Sequence, residues 1–306
     1  VVGASMLFGG ISGSAIADSA AIESALRTLC PAWDTALVAV ERYLPGGYRN
    51  KNFCISYDDS RYVLRLAGAS TGANFEREVS RLEELAKLFP VTHELILDVP
   101  QMAASDQATG ALLTRWCDAP LLAQCSGVSA ETLGTYLSLM HRNLARLPYE
   151  ASSIVVAADH LNQQIQFDLA TAVGSTTRAS ALYAQLPQST QTAVPCHLDL
   201  NPWNLLVGGQ QWVTLDWETL AYGDPLFDLV TLCDGYLREH GFNENPEAFA
   251  LSALDAYHAT GQTRADCDSA QALAQARVLY QWREFSWAAA QLAKGNRREE
   301  VITQRD

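Results

Sequence analysis

Lysine is scarce in this chain. Its 306 residues include three, Lys51, Lys87 and Lys294. Acids outnumber bases, 34 Asp and Glu against 21 Lys and Arg, for a net charge of -13. Such a surface repels nucleic acid and anionic membrane, which excludes nonspecific binding to either. It mildly favours a small cationic substrate. Cysteine pairing is also missing. Seven cysteines are scattered through the chain, odd in number, and no CxxC occurs. Neither a zinc cluster nor a disulfide framework is expected, and reduced cysteines fit a cytoplasmic protein. No uninterrupted apolar run reaches the length of a membrane span. There is no internal repeat and no low-complexity linker.

The N-terminus also lacks something. "VVGASMLFGGISGSAIADSA" is apolar and small, and Ala15-Ile16-Ala17 resembles a signal-peptidase site. No positively charged segment precedes it, and Gly and Ser break the apolar run. Residues 1–17 read as a loosely ordered leader or an extension, with a signal peptide as the alternative.

What is present is ordinary core material. Hydrophobic residues make up 48% and charged residues 18%, enough for one large domain or two lobes. Residues 18–44 read as helix, with Ile22, Leu26, Leu29, Leu37, Val38 and Val40 as its apolar positions. "LPGGYRN" breaks it, and "NFCISYDD" and "RYVLRLAG" follow as a hairpin turning at Asp58-Asp59-Ser60. "NFEREVSRLEELAKLF" has helical spacing, with Asn74 as its expected N-cap. "HELILDV" and "GALLTRW" read as two further strands. The expected first lobe is therefore a small antiparallel sheet with one helix.

From residue 118 helices dominate. Leu133, Leu137, Met140, Leu144 and Leu147 make one stripe, which Pro148 ends. Residues 153–186 supply one or two more helices. The last helix is expected from Asp268, as N-cap, to Gly295. The composition shift near 116–120 divides the chain into an N-lobe, 18–116, and a C-lobe, 117–306.

One stretch interrupts the helical half, "CHLDLNPWNLLVGGQQWVTLDWE", residues 196–218. "NLLV", a Gly208-Gly209 turn and "WVTLD" form a hairpin. It returns Asp216 towards Asn204, because Asn204 opens one strand and Asp216 ends its partner. Two oxygen ligands at the open end of a hairpin suit a hard divalent cation such as magnesium. Asp199 lies beside them and can accept a proton from an attacking hydroxyl. Metal and carboxylate together are the parts that phosphoryl transfer needs.

"HLDLNPWN" resembles the catalytic loop HxDxxxxN of the protein-kinase-like superfamily, and "LDWE" stands where protein kinases carry DFG. With "GDPLFDL" at residues 223–229, the pattern is similar to the aminoglycoside phosphotransferases and the choline, ethanolamine and thiamine kinases. The likeness covers roughly residues 40–290, since the first-lobe order also fits. It implies an α+β, bilobal protein-kinase-like fold. It also implies ATP and Mg2+ as cofactors, with Asp199 as catalytic base and Asn204 and Asp216 as magnesium ligands. His197 and Asp228 would be structural supports of the loop.

The nucleotide clamp implied by the likeness is "GGYRNKNF", with Gly46, Gly47 and Asn50. A departure follows. Where relatives usually carry Lys on the third strand, this chain has Arg65, in the "VLR" that choline- and thiamine-kinase-like proteins often show. Arg can still grip phosphate oxygens through its fork. Its acidic partner would be Glu78, with Glu76 the rival. For the acceptor, the second lobe offers Trp203, Trp217, Tyr222, Trp282 and Trp287, with Glu218, Asp224 and Asp234. Aromatics plus acids suit a cationic group, and Glu218 and Trp282 are the chosen pocket residues. The expected activity is phosphorylation of a hydroxyl on a small metabolite, most like choline, ethanolamine or thiamine kinase. An aminoglycoside phosphotransferase and a non-catalytic binding protein of the same fold are the alternatives.

Overall fold

The computed structural model describes residues 11–44, 50–68, 72–89, 95–147, 160–186, 193–241, 244–260 and 269–295. Two compact units emerge, Val1–Lys87 with Asp98–Asp118, and Leu88–Leu97 with Ala119–Asp306. The divide lies close to the composition shift, at 118/119. Residues Leu88–Leu97 group with the second unit rather than the first.

The first unit opens with α1 (Ile11–Leu29), followed by β1 (Ala39–Leu44), β2 (Asn50–Tyr57), β3 (Ser60–Ala67) and α2 (Gly72–Leu88). After β4 (Ile96–Asp98) come β5 (Met102–Asp106) and β6 (Ala111–Arg115). The antiparallel sheet runs β1-β2-β3-β6-β5. The β2–β3 turn follows the sequence: Tyr57 pairs with Ser60, and Asp58 and Asp59 both take positive φ. Asp tolerates that left-handed backbone, as a two-residue hairpin loop requires.

Four first-unit expectations need correction. Residues 18–44 are not one helix, because α1 ends at Leu29. Pro31 cannot continue it, since proline disfavours helix at the residue before it. Asp34 then caps a short 3-10 turn by accepting from the Ala36 amide at 3.0 Å. Ala39–Leu44 pairs with β2 as an edge strand. Leu37 and Val40, read as helical apolar positions, are exposed. The sheet therefore carries two helices rather than one, and Ile22 and Leu26 of α1 pack with Phe53, Ile55, Leu64 and Leu113. Helix α2 begins at Gly72, so Asn74 lies inside it instead of capping it. "HELILDV" yields only β4, which joins a different sheet, in order β4-β9-β8. The fifth strand of the first unit is β5, "MAASD", whose lack of β-branched residues hid it.

The second unit is mainly helical. Its helices are α3 (Ala130–Leu144), α4 (His160–Val173), α5 (Thr176–Tyr183), α6 (Pro225–Glu239), α7 (Pro246–Ala259) and α8 (Ser269–Ala293). Leu133, Leu137, Met140, Leu144 and Leu147 are buried as one stripe. Gly134 lets α3 lie directly on α7: a Cβ there would fall 1.9 Å from the Ala253 carbonyl oxygen. The expected N-cap of α8, Asp268, lies outside the described residues, while Gly295 ends the helical run with φ +82°. Among the described residues no helix is long and apolar enough to cross a membrane.

The short strands of this unit serve the loop 196–218. β7 (Val194–Cys196) pairs with β10 (Ala221–Gly223), and β8 (Leu205–Gly208) pairs with β9 (Gln211–Thr214). The hairpin turn is Gly209-Gln210 rather than Gly208-Gly209, since Gly208 pairs with Gln211. Gly209 takes the left-handed conformation, φ +59°, that a two-residue loop asks of its first residue.

Candidate active site

The loop begins where β7 ends. Leu198 adopts φ +61°, a left-handed backbone that costs a branched residue about 1–2 kcal/mol. Two short hydrogen bonds hold it there. The backbone N–H groups of His197 and Leu198 each donate to the Asp228 carboxylate at 2.7 Å. Asp228 is wholly buried in the first turn of α6, a helix capped by Asp224, which accepts from the Leu226 amide at 2.8 Å. His141 Nε2 lies 3.1 Å from the same Asp228 oxygen that His197 reaches, and His141 Nδ1 is 3.0 Å from the Tyr257 hydroxyl. A buried carboxylate is tolerated when several donors satisfy it, as these do. Gly235 of α6 allows the helix to approach the loop, for a Cβ would fall 2.7 Å from Pro202.

His141, Cys196 and Asp228 come close enough to hold a metal ion. Their chemistry argues for a brace instead. Both His141 nitrogens already have partners, and both Asp228 oxygens accept backbone N–H bonds. Burial, followed by the nearby Asp228 and Asp224 charges, pushes the Cys196 thiol well above its ordinary pKa. It stays a thiol, which is not the metal-binding form.

His197 is committed on both sides of its ring. Nε2 donates to the Leu215 carbonyl at 2.8 Å, and Nδ1 accepts from the Asp199 amide at 3.2 Å. The ring also packs on buried Trp217, with centroids 4.8 Å apart. It ties the loop to the end of the hairpin and has no ring nitrogen left for proton transfer.

Asp199 is held through both carboxylate oxygens. Arg283 Nη2 donates to Oδ1 at 2.8 Å, and Asn204 Nδ2 donates to Oδ2 at 3.1 Å. Asn204 Nδ2 also reaches the Asp199 carbonyl at 2.9 Å. Between them, Asn201 Oδ1 accepts from the Trp203 amide at 2.9 Å and starts a 3-10 turn with Pro202 in its first position. The Leu215 amide donates to the Asn204 carbonyl at 2.8 Å, closing the hairpin one residue before Asp216. Asp216 is half-buried and left-handed, with φ 55° and ψ 63°. The side-chain oxygens of Asn204 and Asp216 are hard donors, a type that suits magnesium rather than a thiophilic metal.

Sequence reasoning missed Arg283. It lies on α8, remote in sequence, and its guanidinium also pairs with Glu284. Burial works against its charge, but Asp199 and then Glu284 outweigh this and raise its pKa above the ordinary value. A signal was present: residues 196–218 contain no Lys or Arg, so a cation for the carboxylate has to come from elsewhere. Of the two chosen pocket residues, Glu218 is half-buried in the 3-10 turn after Asp216. Trp282 packs edge-on against Phe285, centroids 5.7 Å apart. Trp287, four residues beyond Arg283, shares its helix face. Trp217 is core, and Trp203 is half exposed.

In the first unit, Arg65 of β3 meets Glu78 of α2 through Nη1. Glu78 is buried and Glu76 exposed, which decides between the two rivals. With its amide oxygen turned to the guanidinium, Asn50 accepts from Arg65 Nη2 and Nε at 2.5 and 2.9 Å. Gly46 and Gly47 lie outside the described residues.

Comparison with known proteins gives this geometry a setting. The phosphotransferase enzyme family matches residues 41–273. Protein LicA of Haemophilus influenzae is 23% identical over 197 residues, 62% of this chain and 56% of its own length. The chain thus spans little more than half of that relative. A solved aminoglycoside phosphotransferase bound to GDP and kanamycin superposes with a TM-score of 0.66 at 16% identity, covering 93% of this chain and 95% of its own. A choline/ethanolamine kinase family protein from Mesorhizobium loti gives 0.60 at 19% identity, covering 94% and 91%. The fold is protein-kinase-like, as the loop pattern implied. With well over half of its length matched, the chain belongs to the phosphotransferase enzyme family.

Proposed function

We propose that the chain is an ATP- and magnesium-dependent phosphotransferase that acts on a hydroxyl of a small metabolite in the cytoplasm. The observation that carries this reading is the Asp199 carboxylate, fixed through both oxygens on a loop that Asp228 holds in a strained conformation. A base oriented this firmly suits proton transfer from a docked hydroxyl. Asn204 and Asp216 would hold Mg2+, which when bound neutralises phosphate charge. Arg65, braced by Glu78 and Asn50, would grip phosphate oxygens of ATP.

The reaction balances as an in-line displacement. The acceptor oxygen forms a bond to the γ-phosphorus. Its proton passes to Asp199, and the bond from the γ-phosphorus to the β–γ bridging oxygen breaks. ADP leaves with that electron pair.

The acceptor is a choline-, ethanolamine- or thiamine-like alcohol. Support comes from "VLR" at Arg65 and from the kinship with a choline/ethanolamine kinase family protein. A cationic head would meet the acidic surface and the Glu218 and Trp282 region favourably. Aminoglycosides are the second reading, favoured by the likeness to an aminoglycoside phosphotransferase. ADP release measured with choline, ethanolamine, thiamine and several aminoglycosides separates the two. Turnover is expected with one of the first three. Turnover with aminoglycosides alone would replace the first reading by the second, and nucleotide binding without any phosphorylated product would replace both by a binding role.

A further inference from the structure

The loop that carries Asp199 has no cation of its own. Residues 196–218 contain neither Lys nor Arg. Asn201 of the same loop spends its side chain on the Trp203 amide and the Asp199 carbonyl. Phosphoryl transfer nevertheless needs fixed positive charge beside the moving group. The positive charge at Asp199 comes from α8, through the 2.8 Å bond from Arg283 Nη2 to Oδ1.

That register of α8 is fixed by neighbouring turns. Arg277 makes a bidentate pair with Asp234 of α6, at 2.5 and 2.8 Å. Tyr280 accepts from Arg238 Nη2 at 3.0 Å, and its ring meets buried Phe227 edge-on. Residues 277, 280, 283 and 284 lie along one helix face at i, i+3 and i+4 spacing. The contacts at 277 and 280 anchor α8 to α6, the helix that also carries Asp228. Arg283 therefore reaches Asp199 from a helix clamped to the element that braces its loop.

We propose that Arg283 is a positioning residue for the transfer reaction: it orients the Asp199 carboxylate and supplies the fixed positive charge that the catalytic loop lacks. The role rests on the phosphotransferase reading above. Glu284 holds the guanidinium from its other side, so the fork stays in place.

The experiment compares the wild type with Arg283→Gln, Arg283→Lys and Arg283→Ala in the whole chain. Wild-type ADP release with the acceptor panel comes first. No phosphorylated product from any acceptor would overturn the phosphotransferase reading and this role with it. In a protein that turns over, Arg283→Gln is expected to lower kcat about a hundredfold, the usual effect of losing one charge-stabilising donor. KM for ATP should change less than about threefold, because the loss falls on the transition state. Arg283→Lys, which keeps the charge but loses the fork, should lose only about tenfold. Added guanidinium ion should restore part of the activity of Arg283→Ala. A readout independent of turnover is the affinity for ADP with magnesium and aluminium fluoride, a mimic of the transferring group. It should weaken in Arg283→Gln while ADP affinity holds. Wild-type kcat in the Gln variant, or a loss confined to KM, would overturn the role with the phosphotransferase reading intact. Equal damage in Gln and Lys variants, matched by equal falls in melting temperature, would reduce Arg283 to packing. Should the Gln variant fail to fold, the Lys variant decides: reduced kcat at unchanged KM supports the role, and unchanged kcat overturns it.

Discussion

Asp228 accepts the backbone N–H of Leu198 at 2.7 Å, and Leu198 holds a left-handed backbone that its side chain would otherwise avoid. The carboxylate thus compensates for strain one residue ahead of Asp199. Asp228→Asn would turn an amide donor towards backbone donors in a buried site. A loss of about 3 kcal/mol or more in stability is expected, as when one member of a buried charged network is removed. Urea unfolding measures it. ADP release should collapse alongside, because the loop loses its shape.

The Arg65 cluster yields a prediction on nucleotide binding. Glu78 is nearly buried, and Arg65 neutralises it. Arg65→Ala removes the proposed phosphate grip and leaves that acid without this partner. ATP affinity should fall at least tenfold, in line with the roughly 1.5–3 kcal/mol of a charged hydrogen bond. Calorimetric titration checks this. Glu76→Gln, at an exposed position, should leave affinity unchanged.

Helix packing can be tested without any ligand. Gly134→Ala would place a Cβ 1.9 Å from the Ala253 carbonyl oxygen, so α3 and α7 must separate. Overpacking of this kind costs about 1–3 kcal/mol. A thermal melt should show the fall.

Alkaline pH should destabilise the fold, and the sign follows from burial. Burial pushes the Cys196 and Cys233 thiols above their ordinary value of 9.0. Cys54 rises to about 11, through burial and then the hydrogen bond to Glu41. Tyr136 and Tyr257 rise above 10.0, and Tyr280 reaches about 12, again chiefly through burial. The folded state therefore keeps protons that the unfolded chain releases near 9 to 10. Above that range the unfolded state binds fewer protons, so stability falls as pH rises. Each group costs at most about 1.4 kcal/mol per pH unit in that window. The urea midpoint should be level near neutral pH and decline above about pH 9. A midpoint that rises with pH there would contradict the burial.

Much of the site was legible in the sequence because its parts are close in sequence. The hairpin places Asn204 and Asp216 at one end through a period-two pattern, and "GDPLFDL" places Asp228 in a first helical turn. The pattern could not show what packing decides. Leu37 and Val40 look like core residues, yet Pro31 ends α1 and leaves them on an exposed edge. β5 lacks strand-forming side chains and exists because β6 pairs with it. Arg283 escaped notice for a related reason. Only the docking of α8 on α6 brings it 84 positions back along the chain to Asp199.

In the proposed reaction, Asp199 accepts the proton of the acceptor hydroxyl. The most direct test of this step is ADP release by wild type and Asp199→Asn, with magnesium and the active acceptor, beside ATP affinity for both. The asparagine keeps the shape and cannot take the proton. A fall in kcat of about a thousandfold or more is expected, with ATP affinity nearly unchanged. An Asp199→Asn variant that keeps wild-type kcat on that acceptor would contradict it.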